Sequence, residues 1–115
     1  MVFSKNINRL FEFLKNLNSR DENYILYGAG TGMDLVSDKL NKSKILFTID
    51  KDENKHNIIK NDIKIVSLSN FTKYDDNKTK IIITVFGRAN KIQETLINEY
   101  KIDKSRIISL DILDE

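Results

Sequence analysis

Tyr24-Ile25-Leu26-Tyr27-Gly28-Ala29-Gly30-Thr31-Gly32-Met33-Asp34-Leu35-Val36 is the stretch whose reading decides the fold. Its first four residues are apolar or aromatic without a break, the pattern of a strand covered on both faces, and they stop at a glycine. Beyond the glycines, Asp34 to Leu40 carries Leu35, Val36 and Leu40 at helical spacing, and Asn41-Lys42-Ser43 ends the run. A strand that passes through a glycine turn into a helix opens a βα unit. Glycines at 28 and 30 let the chain turn tightly and bring backbone N–H groups close to an anion, which the N-terminus of the helix also favours.

Working outward, Phe3, Ile7, Leu10, Leu14 and Leu17 form one apolar stripe of an amphipathic N-terminal helix. Downstream, Lys44 to Asp50 reads as a second strand, apolar through its middle and acidic at its end. A polar stretch, Lys51 to Asn57, leads to Ile63-Lys64-Ile65-Val66-Ser67, whose alternation predicts a shorter third strand at the sheet edge. Leu68 to Tyr74 has room for one or two helical turns, and Asp75 to Lys78 is a polar loop. Ile81 to Phe86, β-branched almost throughout, is the strongest strand signal and is expected to be central. Asn90 with Gln93 makes a capping box for a helix with the stripe Ile92, Leu96 and Tyr100, and Arg106 to Leu110 supplies a fifth strand. Strands alternating with helices and turns, under the right-handed crossover rule, give a single Rossmann-like α/β domain over residues 1–115. It has three layers and a mostly parallel five-stranded sheet in the order 3-2-1-4-5.

Composition narrows the function classes. Lys and Arg number 19 against 17 Asp and Glu, spread along the chain, which is too even for a nucleic-acid footprint. No stretch approaches the roughly 20 apolar residues needed to span a bilayer, so membrane insertion is not expected and the chain reads as cytoplasmic. Absence of cysteine agrees and removes disulfides and thiolate chemistry. Glycosylation patterns beginning at Asn41, Asn70 and Asn77 are then chance matches, as is the Tyr74–Lys78 spacing of short-chain dehydrogenases. His56 stands alone in a polar loop, with no second ligand for a metal.

In doubly wound sheets ligands bind beyond the carboxyl ends of the strands, at the point where strand order reverses. The cofactor-binding candidates are therefore Gly28, Ala29, Gly30, Thr31 and Gly32 in the turn, Asp50 and Lys51 after the second strand, and Phe86 and Arg88 after the fourth. Asp50 lies where a carboxylate accepts hydrogen bonds from ribose, and equally where one caps a loop. Arg88 could reach a phosphate across the cleft. Two residues turn the reading away from a tightly held dinucleotide. Met33 stands where a third glycine would allow close helix–strand contact, and Asp34 repels a phosphate at the helix start.

Taken together, Tyr27-Gly28-Ala29-Gly30, then Thr48-Ile49-Asp50-Lys51-Asp52 with Lys55, then Ile63 to Val66 and Ile81 to Phe86, form a series that resembles the Rossmann-like, CoA-binding-like domains of bacterial polysaccharide enzymes. Those include UDP-sugar 4,6-dehydratases, sugar O-acetyltransferases and the closing module of certain sugar C-methyltransferases. The resemblance covers Tyr24 to Leu110. It implies a domain that binds a nucleotide-sugar, NAD or a CoA-type ligand, or supports a partner domain, in glycan biosynthesis. Gly28 and Gly30 match the phosphate-side turn, Asp50 the acidic strand end, and Asp52 and Lys55 the loop beyond. Catalytic residues in those enzymes belong to other domains, so this chain is expected to be non-catalytic alone and to be fused to or associated with a catalytic domain, as an excised piece of a longer protein. Gly28, Gly30 and Gly32 are also similar to the first motif of S-adenosylmethionine methyltransferases, but Leu26 replaces their usual acidic residue. A further alternative is an interaction domain with a vestigial cleft, pairing as a homodimer or with a partner through Phe3, Leu10 and Phe11 or Phe13.

Overall fold

The structure, a computed structural model, describes residues 2–110, with side chains in the first helix from Ile7 onward. Its elements are α1 (Val2–Asn18), β1 (Tyr24–Tyr27), α2 (Thr31–Lys39), β2 (Ile45–Asp50), β3 (Ile59–Lys60), β4 (Ile63–Ser67), β5 (Lys80–Ile83), α3 (Ala89–Asn98) and β6 (Ile107–Ser109). A further 3₁₀ segment, Leu68–Lys73, occupies the link from β4 to β5.

The sheet is α/β and mixed, with six strands in the order β3-β4-β2-β1-β5-β6. This corrects the expected five-stranded sheet: β3 is an additional strand, antiparallel to β4, while the other pairings are parallel. It also covers the outer edge of β4 at Ile63 and Lys64. The missed strand is short, and its turn carries no glycine. Asn61 and Asp62 supply the two positive φ angles, 54° and 64°, that a two-residue hairpin of the type I′ kind requires. Asn and Asp tolerate that region because their short polar side chains bond locally.

β3 also solves a connection problem. Two adjacent parallel strands need a crossover, usually a helix lying on the sheet face. Between β2 and β4 the chain instead descends in the plane of the sheet as β3 and returns as β4.

The unbroken apolar runs of β1 and β5 divide between two cores. On one face Leu26, Ile65 and Ile82 pack with Leu10, Leu14 and Leu17 of α1 and Met33 and Val36 of α2. On the other, Ile25, Tyr27, Ile49, Val66, Ile81 and Ile83 pack with Leu68 and Phe71, and with Ala89 and Leu96 of α3. Leu10, Leu14 and Leu17 are what hold α1, since a lone helix of this length is marginal in water and each buried leucine contributes about 2 kcal/mol. Leu10 is thus a core residue, and Phe11 and Phe13 are half-buried against the same cluster. Phe3 lies outside the described side chains.

At the amino edge of the sheet, Arg106 clamps the loop that precedes β5. Its Nη1 and Nη2 donate to the Asp75 carboxylate at 3.0 and 2.6 Å and its Nε donates to the Thr79 carbonyl at 2.9 Å. Both side chains are almost fully buried, at 9% and 5% exposure, so the pair is held mainly by its two direct hydrogen bonds. Next to it, some burial pushes the Asp76 carboxyl up, but the Thr79 hydroxyl and N–H, the Lys78 N–H and the Arg106 charge outweigh it and hold the group down to about 2. At α3 the capping box is corrected: the helix begins two residues earlier, with Arg88 and not Asn90 at the N-cap and no side-chain cap.

Two outcomes follow for stability. Asp75→Asn strands a buried guanidinium and is expected to cost about 3 kcal/mol in urea unfolding, whereas a loss below about 1 kcal/mol would show the pair to be superficial. Asp76, with its folded value depressed, contributes stability that is full above the unfolded value near 4 and is lost as pH falls towards 2. The urea midpoint of Asp76→Asn is accordingly expected to fall less steeply than that of the parent chain between those values.

Candidate functional site

The order of strand addition reverses between the parallel strands β1 and β5: α2 follows β1 on one face, and α3 follows β5 on the other. At the carboxyl end of β1 the chain leaves the sheet through Gly28, held on two sides. The Gly28 N–H donates to the Ile49 carbonyl at 2.7 Å, and the Thr84 N–H donates to the Tyr27 carbonyl at 2.9 Å. The Thr84 hydroxyl, fully buried, lies 2.9 and 2.8 Å from the carbonyls of Tyr27 and Gly28.

Two of the three glycines in the turn are required by this packing. Gly28 has φ +111°, and a Cβ there would sit 2.6 Å from Val85 Cγ2. A Cβ on Gly32 would sit 1.8 Å from the Thr84 carbonyl oxygen. Gly32, not residue 33, therefore provides the close helix-to-strand contact, which leaves Met33 free to be a fully buried core residue. Gly30 differs: nothing lies within 4 Å of its missing Cβ.

Asp50 belongs to the same construction. Its Oδ2 accepts the Ala29 N–H at 2.9 Å, its Oδ1 accepts the Asp52 N–H at 2.8 Å, and Lys55 Nζ stands 3.8 Å away. The carboxylate that could have held ribose joins the β1 turn to the end of β2, the loop-capping alternative. On the outer side the β3–β4 hairpin clasps the start of α2. Lys60 Nζ donates to the carbonyls of Ala29 and Gly30 at 2.7 and 3.1 Å and lies 3.3 Å from Asp34 Oδ1. Asn61 Nδ2 donates to Asp34 Oδ1 at 2.8 Å. The hydrogen bonds from Asn61 and Lys60 hold the Asp34 carboxyl below its ordinary value, so it is an anion in the first turn of α2.

On the α3 side of the switch point a cleft of about 620 Å³ opens. Gly28, Asp50, Lys51 and Arg88 of the predicted set line it; Ala29, Gly30, Thr31, Gly32 and Phe86 do not. Four residues of α3 or its end that the sequence did not single out complete the far wall: Lys91, Thr95, Glu99 and Tyr100. Their spacing was visible as a helical face, but nothing in the chain order said that this face would look across at Asp50. The floor holds Tyr27, Leu68 and Ile92. Burial first, then the neighbouring Asp50 and Tyr100, push the Tyr27 hydroxyl above its ordinary value, so it remains a proton donor. Among the described residues, no carboxylate pairs with Lys51, Arg88 or Lys91.

His56 is a structural residue: its Nδ1 accepts the Ser67 N–H at 3.1 Å and its ring meets Tyr74. Among the described residues no group of His, Asp and Glu could hold a metal ion, and no helix is long and apolar enough to cross a membrane.

Gly32 and Gly30 separate packing from tolerance. Gly32→Ala must displace backbone at Thr84 and is expected to cost about 3 kcal/mol or more, whereas Gly30→Ala meets open space and should cost within about 1 kcal/mol as a poorer helix cap. Thermal unfolding of the two variants side by side checks this; equal losses would mean that Gly32 is not in contact with β5.

No curated protein and no solved structure matches the chain. A family model described as C2185-like, N-terminal, matches residues 20–108, from just before β1 into β6. The match takes in the glycine turn, the β3 hairpin and the α3 cleft, and the chain belongs to the C2185-like N-terminal domain family.

Proposed function

We propose that the chain is a Rossmann-like, cytoplasmic module that binds a nucleotide or sugar nucleotide and serves glycan biosynthesis, with catalysis left to a fused or associated domain. The observation that carries this reading is the cleft at the carboxyl ends of β1 and β2, which Lys51, Arg88 and Lys91 line together with Tyr27, Leu68 and Ile92. Cations above an apolar and aromatic floor suit a ligand with an anionic linkage and a flat or sugar ring. A family defined on an N-terminal domain is in keeping with a module that works beside another. Isothermal titration of the chain with UDP-glucose, NAD, coenzyme A and S-adenosylmethionine tests the reading. UDP-glucose is expected to bind saturably, and Thr95→Tyr, which fills the cleft from the α3 wall, is expected to abolish binding without changing the melting temperature. Absence of binding by all four ligands refutes it.

A second reading, an interaction domain with a vestigial cleft, is favoured by one observation: the Asp50 carboxylate is committed to the Ala29 and Asp52 amides. It would be supported by an empty titration series.

A further inference from the structure

The glycine turn is the expected phosphate subsite, yet each of its features has an internal use. Gly28 and Gly32 are glycines because Thr84 and Val85, just past β5, lie against them. The carbonyls of Ala29 and Gly30 take Lys60, and the start of α2 already carries the Asp34 anion. An incoming phosphate there would meet a fixed negative charge.

The start of α3 is arranged in the opposite sense. A helix N-terminus is stabilised by acids and a C-terminus by bases. The first turn of α3 contains no acid and its last turn no base. Instead Arg88 stands at the N-cap with Lys91 one turn on, and Glu99 stands at the C-cap. All three charges oppose the helix dipole, and all three line the cleft. Lys51 adds a third cation from the end of β2. Such an arrangement has a physical reason once an anion lies between the two walls: the same three cations then bind it. Glu99 is about 16 Å from Arg88 along the helix axis, at about 1.5 Å per residue, so it does not cancel them. Near it, Thr95 and Glu99 offer acceptors to hydroxyl groups at the other end of a ligand.

We infer that the cleft holds a diphosphate, with its phosphoryl groups on Arg88 and Lys91 at the start of α3 and Lys51 just past β2, and that Gly30 to Gly32 at the start of α2 take no part in binding it. The inference rests on the cleft being the ligand site proposed above. Cations on two walls suit two phosphoryl groups that bridge them; the sugar or base then lies over Tyr27, Ile92 and Tyr100.

The test is a backbone-amide NMR titration of the 115-residue chain with UDP, uridine and inorganic pyrophosphate. UDP and pyrophosphate are expected to shift the amides of Arg88 to Ile92 and Lys51, leaving Gly30 to Gly32 in place. The double variant Arg88→Gln with Lys91→Gln, both exposed so that the spectrum stays dispersed, is expected to weaken UDP about tenfold or more. Gly30→Ala is expected to leave the affinity within about twofold. Raising salt from about 50 to about 300 mM should weaken UDP and leave uridine unaffected. UDP binding with shifts centred on Gly28 to Gly32, or at full strength in the double variant, overturns the inference while leaving the cleft reading intact. UDP held no better than uridine overturns the diphosphate. No binding by any of the three overturns both.

Discussion

Gly32 lies so close to β5 that a single methyl group on it would fall within 1.8 Å of the Thr84 carbonyl oxygen, and the rest of the carboxyl end of the sheet is arranged around that contact. It lets the start of α2 lie directly on the backbone beyond β5, which in turn requires Gly28 to leave β1 at a positive φ and Thr84 to satisfy the carbonyls that the turn exposes. The Ala29 N–H then faces β2, where Asp50 accepts it. One steric constraint thus joins β5, β1 and β2 across the switch point through buried backbone groups, each of which would cost about 1–3 kcal/mol if left unpaired.

The in-plane return of the chain through β3 matters for the opposite face. A conventional crossover helix between β2 and β4 would lie on one side of the sheet and cover the end of β2. With β3 at the edge instead, that region is covered by the 3₁₀ segment Leu68–Lys73 and by α3, and a gap remains between them. The hairpin side chains go to the α2 side, where Lys60 and Asn61 fasten the helix start. The fold therefore closes one side of the switch point and leaves the other open.

How much of this could be read from the chain follows from what each signal encodes. The apolar runs Tyr24–Tyr27 and Ile81–Ile83 announce strands buried on both faces, and the two cores divide their residues as such runs require. Ile58-Ile59-Lys60 was not legible as a strand because two paired residues carry no period, and Asn61-Asp62 lacks the glycine that usually marks such a turn. The switch-point rule named Gly28, Asp50, Lys51 and Arg88, and these four line one cleft. It did not reveal that Gly30, Thr31 and Gly32 look away from it, since the same three-glycine spacing serves a ligand or a packed strand. Nor could spacing show that Arg106 reaches Asp75, a partner fixed only once β6 lies beside β5.

Glycine at a strand-to-helix turn is often taken as a sign of a phosphate, because only glycine admits one. Here the missing Cβ atoms are accounted for by protein atoms at two of the three positions, so those glycines carry no information about a ligand. The informative residues are the ones whose placement costs something that the fold does not repay. Asp34 is matched to its helix and to Lys60, and Asp50 to two amides; each is explained from within. Arg88 and Lys91 are set against the dipole of α3, a cost of about 0.3–1 kcal/mol each, with no carboxylate beside them among the described residues. Unmatched charge at the mouth of a cleft is where an external anion changes the energy most. Under the proposed binding, the determinant lies on the second helix of the switch point, and the first holds the sheet together.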